Sequence, residues 1–134
     1  MFNRTEMEKT FLPLFKDYNY GTTVWSPLAG GMLTGKYVDG IPEDSRMKTL
    51  KGASMFLWNR YMGEGKKEKT LATLKGLKAI ADELKCNMAT LAMAWVLAYD
   101  KVSTALVGAT KVKYFEDFES ALALAPNLTK EHMA

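Results

Sequence analysis

Trp25-Ser26-Pro27-Leu28-Ala29-Gly30-Gly31-Met32-Leu33-Thr34-Gly35-Lys36-Tyr37 is the stretch on which the reading of this chain turns. It leaves Thr22-Thr23-Val24-Trp25, a short run of β-branched and aromatic residues that predicts a buried strand. Gly40 and Pro42 follow, so Ser26 to Arg46 reads as one long loop, and long loops in compact domains are usually functional or disordered. In α/β folds ligands lie at the C-terminal ends of strands. Glycines let a backbone approach a ligand closely, Lys36 can meet a phosphate, and Trp25 offers a flat face to a planar ring. The same residues also suit a plain glycine-rich turn beside a core tryptophan.

Upstream, Thr5 with Glu8 three residues on has the form of a capping box, and Phe11, Leu12, Leu14 and Phe15 follow. This predicts a helix over 6–17, with Pro13 inside it. Tyr18-Asn19-Tyr20-Gly21 ends the helix, Gly21 being suited to a left-handed or turn conformation. Downstream, Phe56, Leu57, Trp58 and Tyr61 suggest a short helix. Leu71, Leu74, Leu77, Ile80, Ala81 and Leu84 are spaced as one face of an amphipathic helix over 67–84. Lys85-Cys86-Asn87 breaks it, with Asn87 placed to cap a second helix. That helix runs to about Tyr99 on a stripe of Met88, Leu91, Ala92, Trp95, Val96 and Tyr99. Val102 to Val107 predicts a second strand whose apolar content suits burial on both faces. A helix then carries Phe115, Phe118, Leu122 and Ala125 on one face until Pro126 and Asn127 stop it, and Leu128-Thr129-Lys130-Glu131 begins a last turn. Strands alternating with helices imply a parallel α/β sheet. Two strands alone cannot cover such a sheet, so the pattern reads as part of something larger.

The second strand also ends on a chemically suggestive segment, Gly108-Ala109-Thr110-Lys111-Val112-Lys113, read as a helix start. Helix N-termini attract anions, and the two lysines add charge. Thr110 could equally be an ordinary N-cap. Two phosphate-friendly segments, each following a strand of one sheet, argue more strongly than either alone.

Composition narrows the classes. Eighteen basic against 15 acidic residues, scattered along 134, do not point to nucleic acid. Cys86 is the only cysteine, which excludes an internal disulfide and fits a reducing compartment. Cys86 and His132 are each the sole residue of their type, so no His/Cys zinc cluster is encoded. His132 reads as a surface residue. No apolar run approaches a membrane span, and the N-terminus lacks the pattern of a signal peptide, so a cytoplasmic protein, not embedded in a membrane, is expected.

The quoted stretch resembles the loop after the seventh barrel strand of aldo-keto reductases. Gly40-Ile41-Pro42-Glu43-Asp44-Ser45-Arg46 continues the likeness. It is nearest the branch holding the voltage-gated potassium-channel beta subunits and their plant and microbial relatives. Residues 87–95 resemble that family's helix before the eighth strand, Val102 to Thr110 the eighth strand and its phosphate turn, and Met1-Phe2-Asn3-Arg4 the segment leaving the sixth strand. The resemblance spans essentially the whole chain. It implies an α/β fold, the C-terminal portion of a (β/α)8 TIM barrel with about its last two strands and their helices. Residues 1–134 would then be an incomplete domain.

The resemblance implies an NADP(H) cofactor and these roles. Trp25 would stack on the nicotinamide. Ser26, Pro27, Leu28 and Ala29 would line the pyrophosphate, and Gly30 would keep that wall low. Lys36 and Arg46 would hold phosphates, Arg46 by a planar fork. Gly108 and Thr110 would border the 2′-phosphate of the adenosine ribose, and Asp117 stands where the family usually has Glu touching adenine. Tyr114 and Phe118 depart from the family's Arg or Gln and Asn, and Asp44 from the Tyr of channel subunits. The family's proton donor Tyr and its Lys, Asp and His partners lie in the first half of the barrel, so no catalytic residue is assigned here.

Two functions follow from the resemblance: reduction of aldehydes or ketones by hydride transfer, or service as a regulatory beta subunit of a potassium channel. A non-functional truncated fragment, from a truncated or split gene, is the third reading. Apolar helix faces deprived of barrel partners predict that the isolated chain is marginal, aggregation-prone or oligomeric.

Overall fold

The computed structural model describes residues 1–2, 4–49 and 53–134. It divides into two compact units, Met1–Pro27 with Thr90–Ala134, and Leu28–Ala89.

In the first unit a π-helical turn over Glu6–Thr10 precedes helix α1, Leu12–Tyr18. The continuous helix and its capping box are both corrected. Thr5 has helical backbone angles and its side chain caps nothing. Glu8 is instead engaged by Arg4, Nε to Oε1 at 2.6 Å, so the carboxylate of the expected box is already spent. Pro13 sits in the first turn of α1, where a missing N–H is harmless, which is why the helix restarts just before it. Asn19, not Gly21, takes the left-handed conformation that ends α1, with φ 52°.

Strands β1 (Thr22–Trp25) and β2 (Val102–Leu106) pair in parallel. The register runs Thr22↔Val102, Thr23↔Thr104, Val24↔Ala105 and Trp25↔Leu106, so Ser103 is the extra residue of a bulge. The Thr22 N–H and hydroxyl both donate to the Lys101 carbonyl at 2.8 Å. A Cβ on Gly21 would lie 2.0 Å from Ser103 Oγ, so Gly21 serves close approach to the bulge. The expected burial of β2 on both faces is not found. Ser103, Thr104 and Leu106 are exposed and Val102 and Ala105 half-buried.

Helix α6, Tyr114–Leu124, buries Ala121 completely, with Tyr114, Asp117, Phe118, Leu124 and Ala125 half-buried around it. The expected face of Phe115, Phe118, Leu122 and Ala125 is corrected, since Phe115 and Leu122 are exposed. Apolar residues stand on both sides of this helix, so spacing alone could not choose between them. The last turn, named α7 here, spans Lys130–Met133 and is capped by Thr129. His132 is half-buried at the surface: its Nδ1 accepts from the Thr129 N–H at 3.1 Å while the His132 N–H donates to Thr129 Oγ1. Arg4 ties the ends of this unit together. Its guanidinium lies 5.2 Å over the Trp95 ring and donates to the Ala134 carbonyl, and Trp95 Nε1 donates to the Met133 carbonyl.

The second unit opens with a 3-10 stretch, Ala29–Thr34, and continues through short helices α2 (Arg46–Thr49) and α3 (Ala53–Leu57) and a π-helical turn, Trp58–Met62. Its long helix is α4, Lys67–Glu83. Thr70 Oγ1 donates to the Tyr61 carbonyl at 2.6 Å and Lys66 Nζ to the Asn59 carbonyl at 2.9 Å, so the start of α4 is pinned to the preceding turn. Leu74 and Ala81 are buried, and Leu71, Leu77, Ile80 and Leu84 half-buried, along the expected face. Lys85 turns left-handed at φ 53° and the chain enters α5, Met88–Leu97, which carries on into the first unit. Every residue from Met88 to Ala94 is buried, which is broader than the expected stripe and suits a helix apolar nearly all round.

Candidate functional site

Parallel pairing with Trp25 opposite Leu106 places the exits of both strands at one end of the sheet. At that end apolar surface meets solvent: Trp25 is 78% exposed and Leu106 54%, with Val107 exposed beside them. Ser26 turns the chain at once, with φ 53°, a left-handed angle that costs a non-glycine residue about 1–2 kcal/mol. It is exposed, and Pro27 is half-buried.

Across the sheet, Gly108 follows β2. A Cβ built on it meets nothing within 4 Å, so the glycine leaves open space that packing within the chain does not require. Thr110 lies in a bend and is exposed. The reading of Gly108–Lys113 as a helix start is corrected: α6 begins at Tyr114 with Lys113 in the capping position, and no side chain caps it. The Tyr114 and Phe115 N–H groups are taken by the Lys111 and Val112 carbonyls. Glu116 and Asp117 already occupy the first turn, where the helix dipole favours them. Charge for an anion here therefore comes from Lys111 and Lys113, both exposed and outside any ion pair among the described residues. Asp117 is half-buried, and its backbone carbonyl accepts from Thr90 Oγ1 at 3.4 Å.

In the second unit the Leu28 carbonyl accepts from the N–H groups of Gly31 (2.9 Å) and Leu33 (3.2 Å). Ala29, Gly30 and Gly31 are left-handed in succession, with φ 51°, 65° and 97°. Gly30 has a second constraint, because a Cβ there would sit 2.4 Å from Leu57 Cδ1. Lys36 is exposed, its Nζ folded back to within 3.3 Å of where a Gly31 Cβ would be and 5.0 Å over the Tyr37 ring. Like the other two lysines it is in no ion pair among the described residues. Arg46 begins α2, but its side chain lies outside the described residues, as does Asn3 of the N-terminal stretch. The structure thus gathers Trp25, Ser26, Pro27, Gly108, Thr110 and Asp117 in one unit and Leu28, Ala29, Gly30, Lys36 and Arg46 in the other.

Sequence reading passed over two residues. The Tyr37 hydroxyl and Ser45 Oγ are buried and have no hydrogen-bond partner among the described residues. The available signal was their adjacency to Lys36 and Arg46. Among the described residues, no group of three His, Cys, Asp or Glu side chains is placed to hold a metal, and no helix is long and apolar enough to cross a membrane.

The sequence model of the aldo/keto reductase family matches residues 1–134. The chain belongs to the aldo/keto reductase family. This aldo/keto reductase chain is 42% identical over 132 residues to a probable voltage-gated potassium channel subunit beta of Oryza sativa subsp. japonica, covering 98% of this chain and 38% of that protein. It is 41% identical over 130 residues to a probable voltage-gated potassium channel subunit beta of Arabidopsis thaliana, covering 96% and 38%. A putative voltage-gated potassium channel subunit beta of Schizosaccharomyces pombe is 39% identical over 128 residues, with 96% and 36% covered. The chain therefore spans under two fifths of the length of these relatives. The likeness to aldo-keto reductases and to their channel-subunit branch is borne out. The family implies a TIM barrel, and among the described residues this aldo/keto reductase chain has a two-stranded parallel sheet that is not closed.

Proposed function

We propose that this chain supplies the phosphate-facing edge of an NADP(H) site in an aldo/keto reductase that reduces aldehydes or ketones. The observation that carries this reading is the register Trp25↔Leu106, which sends Ser26–Pro27 and Val107–Lys113 out from one end of the sheet. The residues there fit the cofactor. An exposed indole suits a planar ring, Gly108 leaves room where a Cβ would stand, and Lys111 and Lys113 are exposed cations outside any ion pair among the described residues, Lys113 lying 5.7 Å over the Tyr114 ring. In this reading Trp25 stacks on the nicotinamide. Ser26, Pro27, Leu28, Ala29 and Gly30 border the pyrophosphate, and Lys36 and Arg46 neutralise it. Gly108, Thr110 and Asp117 take the adenosine end, where Lys111 and Lys113 favour a 2′-phosphate. Residues 1–134 form the C-terminal part of a (β/α)8 domain working in the cytoplasm. Bound NADPH supplies the hydride, and the residues of this chain hold it and shield it from water without serving as proton donor.

Titration with NADPH, followed by tryptophan fluorescence, tests the reading. Quenching that is saturable and lost in Trp25→Ala is expected, and no quenching at millimolar cofactor overturns it. The names of the relatives favour a second reading, a regulatory potassium-channel beta subunit, active as an oligomer. Co-purification with a channel's cytoplasmic domain supports that one.

A further inference from the structure

We infer that the hydroxyls of Tyr37 and Ser45 are further phosphate-binding donors of this site, held unpaired in the free chain and satisfied when a pyrophosphate group binds. The inference rests on the NADP(H) reading and adds two residues to it. Tyr37 is 0% exposed and Ser45 5%, yet neither hydroxyl has a hydrogen-bond partner among the described residues. Native proteins keep few such groups, because a buried hydroxyl that has lost water and gained nothing is destabilising.

The Tyr37 carbonyl accepts from the Gly40 N–H, and the Ser45 N–H and carbonyl are bonded to Pro42 and Lys48. Phe and Ala would fill the same places without the unpaired oxygen. A hydroxyl retained there gains its partner from outside the segment. Each stands next in sequence to a cation, Tyr37 after Lys36 and Ser45 before Arg46, and the Lys36 ammonium lies 5.0 Å from the Tyr37 ring. Hydroxyl donors beside cations are the set that recognises a phosphate oxygen. The turn joining them, 37–46, contains Gly40 at φ 135°, with nothing within 4 Å of where its Cβ would stand. Binding then draws both O–H groups onto the phosphate oxygens.

The test pairs ligand affinity with the stability of the ligand-free protein, in Tyr37→Phe and Ser45→Ala. Each variant is expected to melt at or above the wild-type temperature without ligand, and to bind NADPH roughly tenfold more weakly. Ser45→Thr, which keeps the hydroxyl, is expected to bind as wild type does. Unchanged affinity in both variants overturns the inference, and so does a lower melting temperature, which would mean the hydroxyls are already partnered. If the wild type binds no NADPH, the NADP(H) reading fails by itself. Inorganic pyrophosphate, titrated in the same way, then decides this one: weaker binding in both variants sustains it, and equal or absent binding ends it.

Discussion

Helix α4 and the open end of the sheet both carry large apolar residues, and these meet opposite fates. In α4, Leu74 is wholly buried and the rest of its stripe is at least half covered. At the sheet end, Trp25 and Leu106 stand in solvent, and Val112 in the following turn is 86% exposed. An amphipathic helix needs one covered stripe and has its own polar back. A parallel strand has two faces and needs a layer on each. Apolar content therefore predicts burial only when the covering elements are encoded in the same stretch of chain.

Leucine truncation should draw this contrast most sharply. Leu74→Ala is expected to cost about 2–5 kcal/mol, the range for emptying a closed site, while Leu106→Ala costs under about 1 kcal/mol. Urea midpoints of the two variants measure the gap, and equal costs would mean that the sheet end is covered in solution. Next in size, Gly30→Ala should cost about 2 kcal/mol, from its left-handed φ and the clash with Leu57. Leu57→Ala in the same background should recover the steric part and leave the backbone part. Gly21→Ala should cost about 1 kcal/mol through contact with Ser103, and Gly21→Ala combined with Ser103→Ala should restore most of it, read as a double-mutant cycle.

A pH dependence is expected in the sheet-bearing unit as well. Burial first, and then the nearby Arg4 charge, bring the Met1 amine down from 8.0 to about 6, with Glu8 opposing. Between those values the unfolded chain binds the extra proton. Stability should thus rise as pH goes from 6 to 8, and N-terminal acetylation should flatten the slope.

How much could be read from the residues follows the same division. The α4 stripe was legible because its back is charged: Lys69, Lys75, Lys78, Asp82 and Glu83 leave one side free to bury. In α6 both sides are apolar, and only its surroundings decide that Ala121 is the buried centre while Phe115 and Leu122 are not. Thr5 and Glu8 had the spacing of a capping box, but Arg4 competes for the carboxylate. The sequence could propose a site only where residue type and order matter, at Trp25, the glycines and Lys36. It could not single out Tyr37 and Ser45, because an unpaired buried hydroxyl is a property of surroundings.

What the sequence determined by itself is local and chemical. It set two short strands each followed by a glycine-bearing, lysine-bearing exit, the amphipathic stripe of α4, and membership of a family readable from residues 25–46. Tertiary structure alone decided that Trp25 faces Leu106 across a parallel pair, that Ser103 bulges over Gly21, that α6 does not begin at Thr110, and which face of α6 is inside. Periodicity and turn chemistry are carried by neighbours in the chain, whereas register, clash and burial are fixed by residues that meet only when the chain has folded.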